Sequence, residues 1–131
     1  NGSFIFVADL LRELTIHAEV SFVKLSSYEG TATTGNVTTA IGLKENLHGR
    51  HVIVAEDIID TGKTLSSFLP ELYKQQPATV KIATFLTKPA ARRYDVQADY
   101  TAFEIEDRFV VGYGLDYNGL GRNLPELYVL K

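Results

Sequence analysis

One pattern limits the possible folds more than any other: two apolar strand-like runs separated by a helix-like pattern. The runs cover residues 51–55 and 80–87, and the helical pattern covers residues 64–76. Uninterrupted β-branched runs are typical of strands buried on both faces of a parallel sheet. Strand, helix and strand in this order predict a parallel, right-handed crossover unit, which indicates an α/β fold.

Weaker patterns predict the remaining elements. Helical spacing of apolar residues predicts a helix over residues 4–14, and alternation predicts a strand over residues 19–25. Residues 26–39 are rich in Ser, Thr and Gly and predict a long loop, a feature that is usually functional or disordered. Pro70 predicts an early end or a kink in the helix over residues 64–76. Short strands are predicted at residues 100–105, 109–111 and 127–130.

Composition excludes several classes of protein. The 131 residues suit one domain, and the formal charge of −3 argues against a nucleic-acid partner bound through a basic surface. The chain has no Cys, which excludes a disulfide scaffold and a thiolate metal site. No apolar run approaches the length of a transmembrane span, so no membrane partner is predicted. The chain also has no Met, and we therefore expect a piece or a processed form of a longer protein.

Polar residues directly follow the first predicted strand. Residues 56–63 are predicted to form a polar loop, in which Glu56, Asp57 and Asp60 are carboxylates and residues 61–64 read Thr-Gly-Lys-Thr at a helix start. Ligands of α/β sheets bind beyond the carboxyl ends of strands, and a helix N-terminus suits an anion. A P-loop is excluded because position 57 is Asp, where that motif requires Gly. The residues alone leave two interpretations open: a ribose-phosphate site, or an acidic loop before an ordinary capped helix.

This segment resembles the signature that binds phosphoribosyl pyrophosphate (PRPP) in type I phosphoribosyltransferases. That signature is two acidic residues, two apolar residues, then Asp-Thr-Gly and Thr or Ser, and residues 56–64 read Glu-Asp-Ile-Ile-Asp-Thr-Gly-Lys-Thr. Further segments resemble the hypoxanthine-guanine members of the family, in the family's order. They are the start of a mobile catalytic loop at residues 24–28, a purine-contacting lysine strand at residues 85–88, and a purine- and pyrophosphate-binding segment at residues 103–105 and 109–118.

The resemblance implies the type I phosphoribosyltransferase fold, an α/β fold with a central, mostly parallel sheet flanked by helices and a small hood. It implies a single domain over residues 1–131 that lacks the family's N-terminal strand, in a natural protein roughly a third longer. The implied activity is purine salvage in the cytoplasm, with PRPP, hypoxanthine and guanine as substrates and a homodimer or homotetramer as the assembly. Two alternatives remain, namely a PRPP-sensing regulator without catalysis and a xanthine-preferring transferase.

The resemblance also implies roles for individual residues. Asp60 would be the catalytic acid or base beside purine N7. The ribose and 5′-phosphate of PRPP would contact Glu56, Asp57, Asp60, Thr61, Gly62, Lys63 and Thr64. The purine would contact Lys88, Phe109, Val110 and Asp116, and the pyrophosphate would contact Asn1, Gly2 and Arg122. A lid would carry Ser27 and Tyr28, and a Mg²⁺ cofactor would be held by Glu56, Asp57 and Asp116.

One of these assignments departs from the family pattern, and two have simpler alternatives. Asn1 stands where many family members carry Lys, so its role would depend on the backbone of the loop that it shares with Gly2. Without the resemblance, Lys88 is a solvated lysine at a strand end. Phe109 is then most simply a core residue, as most apolar strand residues are.

Overall fold

The computed structural model describes residues 1–26, 38–41 and 45–130. Two helices and seven strands lie in these ranges, with a short 3-10 turn at Pro89–Ala91. The helices are α1 (Phe4–Glu13) and α2 (Lys63–Tyr73). The strands are β1 (Lys24–Ser26), β2 (Thr38–Ile41), β3 (His51–Ile59), β4 (Thr79–Thr87), β5 (Tyr100–Glu104), β6 (Val110–Val111) and β7 (Tyr128–Val129).

A parallel three-stranded sheet, in the order β3-β4-β5, organises the described residues. The β3–β4 ladder runs from His51 opposite Thr79 to Ile59 opposite Thr87. The β4–β5 ladder ends where Thr87 lies opposite Glu104. The parallel strand–helix–strand unit predicted from the sequence is confirmed. The carboxyl ends of all three strands therefore meet at one edge of the sheet.

Helix α2 covers one face of this sheet. It begins after Gly62, and its buried side chains Leu65, Phe68 and Leu72 lie on one side of the helix. They join two hydrophobic clusters that also contain β3 and β4 residues. The helix passes Pro70 and ends at Tyr73, three residues before the predicted end. The extension to residue 76 was wrong because Gln76 has a φ of 53°, which a right-handed helix cannot contain.

Helix α1 covers part of the opposite face, where the rings of Phe6 and Phe85 lie 5.7 Å apart. Ile53, nearer the amino end of β3, remains 57% exposed. The prediction that the β3 run is buried on both faces was therefore wrong for this part of the strand. Among the described residues, helix α1 covers this face of the sheet only near the carboxyl ends of the strands.

Strand β3 is longer than predicted, and this changes the position of two candidate site residues. The sequence indicated a strand over residues 51–55 followed by a polar loop, but the ladder with β4 continues to Ile59. Glu56 and Asp57 therefore lie within the strand. Backbone pairing with the central strand β4 outweighs the low strand preference of the two carboxylate residues.

Two small antiparallel pairs complete the described structure: β1 with β2, and β6 with β7. The strand predicted over residues 19–25 begins only at Lys24, so this prediction was wrong for residues 19–23. Ser27 and Tyr28, the predicted lid residues, lie outside the described residues. Neither described helix has the length and apolar character that crossing a membrane requires.

Candidate active site

The carboxyl edge of the sheet brings together most of the predicted site residues. Two backbone hydrogen bonds tie the loops that leave this edge to neighbouring strands. The Lys88 N–H donates to the Ile59 carbonyl oxygen at 3.0 Å, and the Ile105 N–H donates to the Thr87 carbonyl oxygen at 2.9 Å. The segments after β3, β4 and β5 are thereby held side by side.

The loop between β3 and α2 forms an open cleft of about 280 Å³, lined by residues 56–65. Gly62 caps α2 with a φ of 87°, a left-handed conformation that favours glycine. The Thr61 carbonyl oxygen accepts hydrogen bonds from the N–H groups of Arg93 and Tyr94, at 3.0 and 3.1 Å. These hydrogen bonds hold the loop on the side away from the cleft. The N-terminal end of α2, which has no side-chain cap, lies beside the cleft. Such an end attracts an anion.

Glu56 and Asp57 form a poorly solvated carboxylate pair at the cleft. Burial and, secondarily, the neighbouring Asp57 charge raise the pKa of Glu56 to about 7. Burial likewise raises the pKa of Asp57, although the Ile58 N–H donates to its Oδ1 at 2.8 Å. Both shifts show that burial disfavours the charged form of these carboxylates. A bound cation or a hydroxyl donor would oppose this effect.

The backbone of Gly2 packs directly against Asp57, one member of this pair. Gly2 is buried, and a Cβ atom added there would lie 1.4 Å from the Asp57 Oδ2 atom. Only glycine fits so close to the carboxylate. The adjacent Asn1 is exposed. The structure therefore brings the predicted pyrophosphate loop, Asn1 and Gly2, to the carboxylate pair.

Arg122 and Asp116 form an ion pair on the other side of Gly2. Arg122 Nη2 lies 2.6 Å from Asp116 Oδ1, and its Nη1 donates to the Gly114 carbonyl oxygen at 2.6 Å. A Cβ atom added at Gly114 would lie 2.1 Å from the Gly2 carbonyl oxygen. Both predicted residues are thus next to the loop that contains Gly2. Arg122 also lowers the pKa of Asp57 slightly, as the least of several influences.

Lys88 is buried, which contradicts the alternative of a solvated strand-end lysine. Its side chain is only 8% exposed, and its Nζ atom lies 3.4 Å from Asp60 Oδ2 and 3.7 Å from Asp107 Oδ1. A buried ammonium group requires partners of this kind, because burial of an unpaired charge is costly. The predicted catalytic carboxylate and the predicted base-contacting cation therefore face each other.

Phe109 is not a core residue, so the simpler alternative for this position was wrong. Its ring is 52% exposed and packs edge-on against Tyr117 with ring centroids 5.8 Å apart. Its carbonyl oxygen accepts a hydrogen bond from the Leu130 N–H at 3.0 Å. The half-buried Val110 pairs with Val129 in the β6–β7 ladder. The main chain is fixed while the ring of Phe109 stays accessible to a flat ligand.

Sequence reasoning missed two residues that contact the site. Asp107 faces Lys88 but lies in a polar loop whose composition carries no signal. Arg92 lies behind the cleft, where its Nη2 donates to Thr87 Oγ1 at 2.6 Å and its Nη1 donates to the Val96 carbonyl oxygen. Its Nε atom is buried and has no partner among the described residues. An arginine after a strand end is common, so only the fold reveals this position.

The donor set suits a magnesium ion held jointly with a ligand. Carboxylate oxygens are the ligands that Mg²⁺ prefers, and burial raises the pKa of both Glu56 and Asp57, a shift that a bound cation would oppose. Within the part of the chain that the structure describes, no three acidic or histidine side chains cluster closely enough to hold a metal ion alone. Mg²⁺ commonly keeps waters and substrate phosphates as ligands, so these carboxylates could hold it only jointly with a bound ligand.

Comparisons with known proteins agree with this geometry. The family model described as phosphoribosyl transferase domain matches residues 1–118. The chain is 46% identical over 131 residues to the hypoxanthine-guanine phosphoribosyltransferase of Streptococcus pneumoniae, covering 99% of this chain and 73% of the relative. It is 44% identical over 131 residues to the hypoxanthine-guanine-xanthine phosphoribosyltransferase of Tritrichomonas foetus, covering 99% of this chain and 72% of that protein.

Solved structures show the same likeness. A crystal structure of a hypoxanthine-guanine phosphoribosyltransferase from Bacillus anthracis superposes with a TM-score of 0.93 at 40% identity, covering all of this chain and 78% of the other. A hypoxanthine phosphoribosyltransferase from Staphylococcus aureus gives a TM-score of 0.94 at 40% identity, covering all of this chain and 72% of the other. The fold class and family predicted from the sequence are confirmed, and the chain belongs to the phosphoribosyl transferase domain family.

Proposed function

We propose that this protein is a purine-salvage enzyme that transfers the 5-phosphoribosyl group from PRPP to hypoxanthine and guanine. The products are the nucleoside monophosphate and pyrophosphate. The names of its relatives support this class of reaction. The observation that carries the assignment is the buried Lys88 ammonium facing Asp60 beside the anion cleft. A PRPP-sensing regulator needs the cleft but has no use for this pair.

The PRPP half of the site follows from the cleft and its carboxylates. Backbone N–H groups and hydroxyls of residues 61–64 would bind the 5′-phosphate at the start of α2. Glu56 and Asp57 would accept hydrogen bonds from the ribose hydroxyls, which supply donors where negative charge is uncompensated. The backbone of Asn1 and Gly2, together with Arg122, would bind pyrophosphate.

The purine half of the site would consist mainly of the Lys88 cation and the exposed ring of Phe109. Lys88 would donate a hydrogen bond to the 6-oxo group, and adenine offers no matching acceptor there. Phe109 would stack on the base, with the Val110 backbone and Asp116 at its edge. The preference among hypoxanthine, guanine and xanthine stays open. A xanthine-using enzyme is the second candidate because the relative from Tritrichomonas foetus carries xanthine in its name.

Asp60 would handle the proton that the reaction releases. A purine ring nitrogen attacks the anomeric carbon of the ribose, the bond from that carbon to the pyrophosphate oxygen breaks, and the purine loses the proton at N7. Asp60 is half-exposed at the cleft and 3.4 Å from Lys88, so its carboxylate can reach a base that Lys88 binds. It would accept this proton as a general base.

Glu56, Asp57 and Asp116 would hold Mg²⁺ together with the substrate phosphates. When bound, the ion supplies positive charge that stabilises the leaving pyrophosphate. A lid carrying Ser27 and Tyr28 would exclude water from the oxocarbenium-like transition state.

We further propose a single domain over residues 1–131, a cytoplasmic location and a homodimer or homotetramer that acts on small molecules without a nucleic-acid or membrane partner.

Pyrophosphate release from PRPP and hypoxanthine tests the proposal. The wild-type full-length protein should release pyrophosphate only when base and Mg²⁺ are both present. Asp60→Asn should lower turnover at least about a hundredfold while PRPP still binds, because general base catalysis contributes about that much. Asp95→Asn, an exposed aspartate on the loop after β4, is the matched control and should retain turnover. Base-dependent turnover that survives Asp60→Asn would remove Asp60 from the proton transfer.

A further inference from the structure

Lys88 has a second carboxylate partner besides Asp60. Its Nζ atom lies 3.7 Å from Asp107 Oδ1, on the side supplied by the segment after β5. The Asp107 side chain is 60% exposed, whereas the Lys88 side chain is almost fully buried. The contact is therefore formed at the mouth of the site, where Asp107 reaches inward to a buried cation. Neither the PRPP cleft nor the stacking ring requires a carboxylate at this place.

The backbone fixes the position of Asp107. Two residues earlier, the Ile105 N–H donates to the Thr87 carbonyl oxygen at 2.9 Å, which joins this segment to the residue just before Lys88. The next residue's N–H, that of Arg108, donates to the Glu106 carbonyl oxygen at 2.7 Å and closes a tight turn around Asp107. These two bonds tie the segment that carries Asp107 to the end of β4.

We propose that Asp107 is a positioning residue for purine recognition. It would hold the Lys88 ammonium group between two carboxylates, so that an N–H that Asp60 does not accept points toward the 6-oxo group of the base. The inference rests on the proposed function, since it assigns a role within the same site. A lysine ammonium has three donors, of which Asp60 accepts one at 3.4 Å, while Asp107 at 3.7 Å attracts the charge without accepting a hydrogen bond.

Removal of Asp107 would change what Asp60 can do. A buried cation with one remaining carboxylate pairs more tightly with it, because no other charge shares the interaction. Lys88 would then move toward Asp60 and away from the base, and Asp60 would be a poorer proton acceptor. The predicted consequence is a selective defect in base binding and turnover. Binding of PRPP should not change, because in the described part of the chain the Asp107 side chain pairs with Lys88 and reaches the cleft residue Asp60 only through it.

The test compares Asp107→Asn with the control Glu106→Gln in the full-length protein. Glu106 is the adjacent carboxylate, which pairs with Arg108 on the surface at 3.4 Å, so its replacement removes the same charge one residue away. Asp107→Asn should raise KM for hypoxanthine about twofold to fivefold, the size expected for an ion pair with one exposed partner, with KM for PRPP unchanged. Glu106→Gln should leave both constants unchanged, and Asp107→Glu should restore part of the hypoxanthine affinity.

Three outcomes would overturn the inference. The first is an unchanged hypoxanthine KM in Asp107→Asn. The second is an equal rise of both KM values accompanied by a lower melting temperature, which indicates a general structural role. The third is an equal effect of Glu106→Gln, which indicates a long-range charge effect. A wild-type protein that releases no pyrophosphate with any base would refute the proposed function itself, and is therefore distinguishable from all three.

Discussion

Gly62→Ala should weaken PRPP binding beyond its cost in stability. Gly62 has a φ of 87°, where an L-residue costs about 1–2 kcal/mol. An alanine Cβ there would lie 3.3 Å from Arg92 Cδ and 3.4 Å from the Tyr94 carbonyl oxygen, so the loop must shift by a few tenths of an ångström. Loss of one well-placed N–H bond to a charged phosphate costs about 1.5 kcal/mol, which corresponds to roughly a tenfold rise in Kd.

The assay is calorimetric titration of PRPP combined with urea unfolding. Gly49→Ala is the matched control, because Gly49 has a φ of 69° and an added Cβ would meet nothing within 4 Å. Both variants should lose about 1–2 kcal/mol of unfolding free energy from the shared backbone penalty. Only Gly62→Ala should bind PRPP about tenfold more weakly. Equal PRPP affinity in the two variants would refute the assignment of this loop to the 5′-phosphate.

Two further predictions concern stability. Burial and Asp57 raise the pKa of Glu56 from 4.5 to about 7. Without Mg²⁺, the Glu56 contribution to stability should be complete below pH 4.5 and fall by up to about 3 kcal/mol as the pH rises through 7. Glu56→Gln should therefore lose most of the decline that the wild type shows between pH 4.5 and 7, and equal urea-unfolding profiles in this range would contradict the prediction. Leu86→Ala, at a fully buried position, should lower the free energy of unfolding by about 2–5 kcal/mol in thermal or urea unfolding. Ile53→Ala, at a 57% exposed position, should lower it far less, and similar losses in the two variants would contradict the described packing.

The sequence predicted the central crossover because its apolar runs are long and uninterrupted. It failed where tertiary pairing overrides local preference. Glu56 and Asp57 read as loop residues, yet the β4 ladder extends the strand through both. The alternation at residues 19–23 is typical of a strand, but among the described residues no strand forms a backbone ladder with this segment. Hydrogen bonds between distant segments leave no local mark, so strand ends are poorly predicted from sequence.

In the candidate site too, a local sequence pattern predicts some features, whereas others depend on contacts between distant segments. The motif at residues 56–64 is continuous in sequence, and a local pattern was enough to locate the cleft. The burial of Lys88 depends on segments from three strands, so composition alone favoured a solvated lysine. Asp107 and Lys88 are 19 positions apart in the sequence and come together only through the turn after β5. No rule of sequence spacing predicts such a pair.

Lys88 is the group proposed to select a 6-oxopurine, and the proposed function depends on it most. The most direct measurement is the steady-state rate of nucleoside monophosphate formation from PRPP with hypoxanthine, guanine, xanthine and adenine in parallel, in the wild type and in Lys88→Ala. The wild type should use hypoxanthine at least about a hundredfold better than adenine, and Lys88→Ala should lose affinity for the base while its KM for PRPP stays constant. Comparable rates with adenine, or equal losses for base and PRPP in Lys88→Ala, would contradict the account.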